Sequence, residues 1–550
     1  MSDVAALVAD NLDIWTGAIE RKNGAGRGPG GKRISLYGIE RLRALILDLA
    51  VRGKLVPQDP ADEPAAELLK QVDKARPKLV EGGYLARSKA QVDRTSPVAP
   101  FAIPTTWAWI RLDRLGAIVG GGTPSSSDQS CFTDSGDGIS WLTPADLSGF
   151  TGRYIEHGNR DLTDKGLGSS SAKVMPKGTV LFTSRAPIGY VAIAANPIST
   201  NQGFKSVVPS IDGMSEFIAM VLSAFAEEID KNAPGTTFKE VSGKIVSAIA
   251  FPLPPFAEQR RIVTKVDELM ALCDALERES ADALAAHQVL VESFLVTLVN
   301  SAEAADLAAN WARLESHFDI LFTTEASTDA LKQTILDLAV SGKLVEQEGN
   351  WPVEPLGNYV KDAAAGWSPK CIETPRSGDN WGVLKVSAVT WGRFQPEENK
   401  ELPYSLEPRP EIEVAPGDFL ISRANTAELV ARSVVVPLNA PRKLMMSDKI
   451  IRFRFNDKVD ADYINLVHAS PFARAYYARV AGGTSSSMKN VSQSQIRALK
   501  IPIPPLAEQQ RIVAKVEELL ALCDALKARL GDVAETRRHL ANAIVERSAA

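Results

Sequence analysis

Residues Gly26–Lys32 read GRGPGGK and meet the Gly-x4-Gly-Lys core of a phosphate-cradling loop. Such a loop needs Ser or Thr next, to hold magnesium, and a buried strand before it. Arg33 follows instead, and Ala18–Lys22 (AIERK) makes a poor buried strand, so the run reads as a linker. Gly120–Ser125 (GGGTPS) is a second Gly-rich run, open as a phosphate cradle or as a turn-rich loop. Glu398-x-Lys400 catches the eye as a metal-nuclease fragment, but no Pro-Asp lies upstream and Pro396–Glu401 is acidic, which suits a solvated surface. No Asn-Pro-Pro-Tyr, Asp-Pro-Pro-Tyr or Phe-x-Gly-x-Gly marks a methyl-donor site. A Ser-His-Asp triad stays open, without a Gly-x-Ser-x-Gly elbow to support it. Cys131, Cys273, Cys371 and Cys523 form no Cys-x-x-Cys pair, and the histidines are equally dispersed. Nothing local announces a metal site or a disulfide framework.

The elements that would position any site come from an internal repeat. Phe251–Glu277 (FPLPPFAEQRRIVTKVDELMALCDALE) and Ile501–Lys527 (IPIPPLAEQQRIVAKVEELLALCDALK) agree at 19 of 27 positions, an identity that chance does not give. Upstream, Ile46–Val56 (ILDLAVRGKLV) matches Ile335–Val345 (ILDLAVSGKLV), and Leu12-Asp13-Ile14 is echoed by Phe318-Asp319-Ile320. The order is therefore a helical segment, an unlike head and a long helix, then the same three again. The expected boundaries are 1–103 for the first helical segment and linker, 104–252 for the first head and 253–300 for its long helix. A connector over 301–350, a second head over 351–502 and a second long helix over 503–550 complete the chain.

Ile262, Val266, Leu269, Cys273 and Leu276 step by four and three, the seam spacing of a coiled coil. Ile512, Val516, Leu519, Cys523, Leu526, Leu530, Val533, Leu540 and Ile544 carry the same phase almost to the end. Pro-Pro before Phe256 and before Leu506 marks each start, since proline is tolerated in a first turn and not later. Each helix could run about 40 residues, or about 60 Å. Ser280, His287 and Arg537 fall on or near the seam, where they would set register; Cys273 and Cys523 read as small core residues.

The heads alternate short strand-like runs with turns: Gly178–Thr183, Gly189–Ala194, Asp418–Ser422, Ser433–Pro437 and Ile450–Phe455. Helical stretches follow at Ser215–Asp230 and Ala461–Val480. The fold class is α+β, with two mixed heads joined by two long helices that, as each other's nearest partner, form a coiled coil.

Length and composition (550 residues, 45% hydrophobic, 23% charged) suit a globular protein of about three to four domain-sized units. No apolar run approaches the roughly 18–20 residues of a membrane span, and Met1–Asp10 lacks a basic region before an apolar stretch, so a cytoplasmic location is expected. The net charge of −5 disfavours a nucleic-acid ligand only on average. Ile421–Lys500 carries 13 Lys+Arg against 5 Asp+Glu, while Lys165–Ala250 carries 8 against 6. The second head thus has the stronger basic balance.

The PxPPxAEQ blocks resemble the helix start of the specificity subunits of type I restriction-modification systems. So do Gly120–Ser125, Thr183–Gly189 (TSRAPIG) and Gly235–Val241 (GTTFKEV). The resemblance spans almost the whole chain. It implies that each head is a target-recognition domain for one half of a bipartite double-stranded DNA target, and that the helices pack antiparallel as a spacer. It also implies a chain without catalytic activity or cofactor of its own. Two methyltransferase subunits would dock on it, with restriction subunits in the full complex and S-adenosylmethionine, ATP and magnesium held by those partners.

Residues that could touch DNA follow from matching the heads. Ser184-Arg185 aligns with Ser422-Arg423 after a strand-like run, where arginine could reach a guanine edge, a phosphate or an acidic neighbour. Thr236, Thr237 and Lys239 parallel Ser485, Ser486 and Lys489, small hydroxyl residues and a lysine that suit either a phosphate contact or a surface turn. Gly121, Gly122, Thr123 and Ser125 are the first head's loop candidates; the second head reads Ala365-Gly366-Trp367-Ser368-Pro369, which weakens a shared role. Arg442, Lys443 and Lys449 would position phosphates or sit in solvent. Tyr476-Tyr477 read as a packing face. A hydrolase using Gly26–Lys32 and a purely structural scaffold are the competing functions.

Overall fold

The structure, a computed structural model, describes residues 4–22, 33–87, 95–235, 239–347, 349–390, 392–485 and 488–549. The loop Gly26–Lys32 lies outside them. The chain divides into two compact units, Met1–Ala281 with Ala534–Ala550, and Asp282–Val533.

After a first short helix, Val4–Asp10, the first unit has helices α1 (Leu12–Gly17) and α2 (Tyr37–Val51). A side chain at Gly38 would meet the Trp15 carbonyl at 2.4 Å, so glycine allows α2 to start against the end of α1. Leu42, Leu45, Ile46 and Leu49 of α2 and Trp15 are buried in the unit's core. The head is built on β1 (Gly116–Gly120), β2 (Tyr154–Ile155), β3 (Val180–Ser184), β4 (Ile188–Ala194) and β5 (Lys205–Pro209), in the order β1-β5-β3-β4-β2. Its pairings are antiparallel except β4 with β2. Helix α3 (Ser215–Ala224) packs Phe217, Ile218 and Val221 into the same core as Val180, Phe182 and Val207. The expected helix to Asp230 is interrupted at Phe225, after which Ala226–Lys231 forms a separate short helix. Strand Ala250–Leu253 pairs with Ala108–Arg111 and leads into the long helix α4 (Phe256–Val299).

The second unit repeats the plan with α5 (Phe318–Leu321), α6 (Glu325–Val340) and a wholly antiparallel sheet. Its strands are β6 (Val360–Ala365), β7 (Phe419–Ser422), β8 (Ser433–Val435) and β9 (Ile450–Phe455), in the order β6-β9-β7-β8. Helices α7 (Ala461–Ala469) and α8 (Pro471–Val480) replace the single expected stretch. Ser470 breaks it, its hydroxyl capping α8, and Pro471 fits the first turn. Strand β10 (Met488–Asn490) precedes the second long helix, α9 (Leu506–Ala549).

Each unit contains the start of one long helix and the end of the other. Ile262, Val266, Leu269 and Cys273 of α4 share the first unit's core with Ala541 and Val545 of α9. Val291, Leu295 and Leu298 of α4 share the second unit's core with Ile512, Val516 and Cys523 of α9. The expected seam does not hold to the end of α9: Val533 and Leu540 are exposed, and Ala541 and Val545 are buried instead. An α-helix has 3.6 residues per turn, so a strict seven-residue stripe drifts by about 20° per heptad, and one extra step re-centres it. The same slip occurs in α4, where Leu290 is exposed beside buried Val291. His287 meets the Ile320 carbonyl at 3.0 Å through Nε2, a tether rather than a ligand site. Burial pushes the Cys273 thiol up to about 11, and raises that of Cys523, as befits core residues. By length and composition α4 contains a stretch apolar enough to cross a membrane, which corrects the expectation that none exists. Within its C-terminal half, Val291, Leu295 and Leu298 serve as core.

The repeated Glu-Gln has a structural use. Gln259 donates its backbone N–H to Pro255 and its side-chain amide to Pro254 (3.0 and 3.1 Å), closing the first turn. Buried Glu258 accepts from Trp107 Nε1 at 2.9 Å and from Gln58. Burial pushes the Glu258 carboxyl up from its ordinary value, against the pull of these donors. In the second unit Gln509 donates to Pro504 and Lys458 (2.8 and 3.0 Å) and accepts from the Asp460 N–H at 2.8 Å.

Two outcomes follow. Trp107→Phe removes a donor from the buried Glu258 carboxylate and should destabilise the first unit by about 1–3 kcal/mol, read from denaturant unfolding. Buried His468 is held down at about 4 by desolvation, and its Nδ1–H donates to the Ile464 carbonyl at 2.9 Å. Because the unfolded imidazole binds protons more readily, stability is complete above about pH 6.5 and falls as pH drops towards 4. Unfolding at pH 5 against pH 7 should show a loss of about 2 kcal/mol that His468→Phe abolishes.

Candidate nucleic-acid interface

The two heads use the same backbone hydrogen bonds at the end of their central strand. In the first, Thr183 lies opposite Phe204, Ser184 N donates to Gly203 O (2.7 Å), and Val241 N donates to Ser184 O (2.9 Å). In the second, Ser422 lies opposite Ile450, Arg423 N donates to Lys449 O (2.8 Å), and Val491 N donates to Arg423 O (2.8 Å). Thr183 therefore corresponds to Ser422, and Ser184 to Arg423. The hydroxyls agree: Thr183 Oγ1 accepts from Tyr190 N (2.8 Å) and Ser422 Oγ from Arg432 N (3.1 Å).

This corrects the pairing of Ser184-Arg185 with Ser422-Arg423 by one residue. It also removes Ser184 and Ser422 from the surface. Both are fully buried, with hydroxyls given to the Gly203 carbonyl (3.1 Å) and the Leu429 carbonyl (3.0 Å). Every residue of Val180–Ser184 and of Phe419–Ser422 is buried, so both faces of these central strands are covered and neither side offers its hydroxyl to a ligand.

The loop candidates move in the opposite direction. Gly122 N donates to Thr200 O and Trp367 N to Met446 O, each at 2.9 Å. A Cβ on Gly121 would lie 2.1 Å from Thr200 O, and one on Gly366 would lie 2.3 Å from Met446 O. The Thr123 hydroxyl bonds the Gln202 side chain as the Ser368 hydroxyl bonds Asp448. The unlike sequences are thus one element with a shared role. Its glycines serve protein packing: Gly122 is buried, its would-be Cβ 2.4 Å from Ala172 N. Thr123 and Ser125 remain exposed, Ser125 bonded to Ser127 (2.8 Å).

The charged candidates separate by whether they are already paired. Arg423 and Lys449 are exposed, adjoin through their backbones, and have no side-chain hydrogen bond or ion pair among the described residues. In the first head Arg185 lies 3.9 Å from Glu240, and Lys205, missed by motif matching, lies 3.7 Å from the same carboxylate. Only sheet register could have found Lys205, since it stands opposite Gly120 across β1 and β5. Lys239 is tied to the Asp230 carbonyl and carboxylate (2.8 and 3.2 Å), and Lys489 to the Gly483 carbonyl (2.7 Å). Arg442 pairs with Glu413 (3.1 Å) and Lys443 with Asp379. Thr236, Thr237 and Ser486 lie outside the described residues, and Ser485 sits in the strand Gly482–Ser485, which pairs with β10.

Other candidate chemistry resolves into structure. Ser140 Oγ and Asp161 Oδ2 both meet His157 at Nδ1, each at 3.1 Å, whereas a triad needs the two partners on opposite ring nitrogens. Asp161 also accepts from Gly136 N (2.9 Å), which makes it a turn anchor. Glu398 is half-buried and accepts from the Ser387 hydroxyl (2.7 Å), while Lys400 pairs with Glu373 (2.8 Å), so neither is a free solvated charge. Tyr477 is buried and Tyr476 donates to the Gln495 carbonyl (2.8 Å), a packing pair as expected.

The type I restriction modification DNA specificity domain family matches residues 104–286 and 414–536. The specificity subunit of the type I restriction enzyme EcoEI of Escherichia coli is 35% identical, with 99% of each chain covered. That of EcoAI, also from E. coli, is 29% identical over the same shares. A solved chain from work on complex assembly and conformational transition of the type I R-M system has a TM-score of 0.52 at 19% identity. That match covers 82% of this chain and 99% of the other. The chain belongs to the specificity subunits of type I restriction enzymes.

For DNA binding by the assembled complex, Arg423→Ala with Lys449→Ala should lower the slope of log affinity against log salt by about one to two units. Lys443→Ala, which removes a cation already paired with Asp379, should change the slope less.

Proposed function

We propose that each head reads one half of a bipartite double-stranded DNA target and that the chain itself carries no catalytic site. The observation behind this is that one hydrogen-bonded frame carries unlike residues in the two heads. Exposed Arg423 and Lys449 stand in the second head where buried Ser184 and Gly203 stand in the first. A shared frame with unlike side chains is what two readers of unlike half-sites need.

The chain is laid out in six segments, with the boundaries expected from the repeat. Of the candidate set, the exposed Thr123, Ser125, Lys239, Arg423, Arg442 and Lys449 and the partly exposed Arg185, Lys443 and Lys489 line the DNA side; Thr236, Thr237, Ser485 and Ser486 stay in the proposed set on their sequence. The long helices form an antiparallel coiled coil that sets the gap between half-sites. This is supported by the start of each sharing a core with the end of the other. At about 1.5 Å per residue, 44 residues span about 66 Å, ample beside the 34–36 Å of one duplex turn. Two methyltransferase subunits dock on this pair, and restriction subunits join them in the full complex.

Co-purification of the chain with the products of its neighbouring genes, followed by genome-wide mapping of methylated sites, tests the reading. A gapped motif in two halves is expected, and scrambling either half should remove most of the selectivity. Equal binding to both scrambled duplexes would sink it. Lengthening both long helices by the same number of residues should change the gap and leave the half-sites as they were.

A further inference from the structure

We propose that Glu240 and Asn490 occupy one equivalent base-reading position in the two heads. Glu240 accepts a hydrogen bond from the N4 amine of a cytosine in the first half-site, and Asn490 pairs two-pronged with an adenine in the second. The inference rests on reading the heads as DNA readers and names the residues that set two of the bases.

The equivalence is set by the backbone. Glu240 immediately precedes Val241, whose N–H holds Ser184 O, and Asn490 immediately precedes Val491, whose N–H holds Arg423 O. Both side chains are exposed. The backbone of Asn490 is fixed opposite Ala424 and Gly482 in its sheet, and Glu240 N donates to Pro234 O at 3.3 Å. Each position therefore lies beside the strand end that carries its head's cations, Arg185 and Lys205 in one and Arg423 and Lys449 in the other.

The chemistry of the two groups points outwards. Cations bind phosphate, whereas a carboxylate on the same face is repelled by it and needs a donor. Arg185 and Lys205 hold the Glu240 carboxylate at 3.9 and 3.7 Å, distances of charge attraction beyond hydrogen bonding. Among the described residues no side chain fills its acceptor sites, of which a carboxylate has about four. Asn490 likewise has no side-chain hydrogen-bond partner among them. Base edges in the major groove supply the missing partners. Cytosine offers an N4 donor, while adenine places its N7 acceptor next to N6, where it would oppose a second carboxylate oxygen. The Asn490 amide instead supplies one acceptor and one donor, the complement of adenine N6 and N7.

The test uses the chain assembled with its methyltransferase subunits and duplexes in which each base pair of the target is changed singly. Wild type should prefer C·G at one pair of the first half-site by about tenfold or more. Glu240→Gln and Glu240→Ala should lose that preference while the second half-site is read as before. Asn490→Asp should lose an adenine preference at one pair of the second half-site and spare the first. Intact reading of the other half-site, with an unchanged Tm, reports a folded chain. The proposal is overturned if the variants alter methylation of every duplex alike, if they abolish it at unchanged Tm, or if the first half-site has no C·G preference. A wild type without any bipartite target instead overturns the reading of the heads, a separate result.

Discussion

The start of each long helix is the constraint on which the rest of the structure depends. Pro254 and Pro255 cannot lie inside a helix, so the chain must turn there, and the freed carbonyls are taken by Gln259. Glu258 then reaches back to Trp107 at the edge of the head and to Gln58 beyond α2. In the second unit Gln509 reaches Lys458 and Asp460 of its own head. Buried polar groups of this kind are costly without partners. They therefore admit one arrangement of head, upstream helical segment and long helix.

Given that junction, the heads are free to differ where they face outwards. Their frames keep the same partners: a hydroxyl of Thr183 or Ser422 on the returning strand, a glycine at Gly121 or Gly366 against a carbonyl, a hydroxyl of Thr123 or Ser368 on a neighbouring loop. These are short-range steric and hydrogen-bonding demands, satisfied by different residues of similar size. The positions next to them differ, and there the first head has buried Ser184 and exposed Glu240 where the second has exposed Arg423 and Asn490. The weak positive balance of the first head has a local counterpart, since one carboxylate holds two of its cations.

The helices, the strands and the repeat were legible because each is a local or periodic property. The runs Gly189–Ala194 and Ile450–Phe455 fall on strands, and the run Gly178–Thr183 does so from Val180 onwards. The long helices run 44 residues where about 40 were expected. The site was less legible. The Ser-Arg dipeptide occurs in both heads, and matching identical letters placed Ser184 on Ser422, one residue away from the pairing that the ladder bonds define. Conversely, Gly-Gly-Thr-Pro and Gly-Trp-Ser-Pro look unlike, yet they share one conformation because the demand falls on the backbone of the first glycine. Lys205 belongs to no motif and is found only through its partner strand.

By itself, then, the sequence determined the repeated order of segments, the type of each element and the family, since these rest on spacing, propensity and an identity of 19 in 27. Only the tertiary structure decided which hydroxyls are buried, which cations are already neutralised, and that each unit completes its core with the end of the other's long helix. It also decided where the apolar stripe slips, from the heptad positions Val533 and Leu540 to Ala541 and Val545. The reason is the same throughout. Burial and charge pairing depend on groups far apart in the chain, and a helix drifts around its axis faster than a seven-residue pattern read along a line.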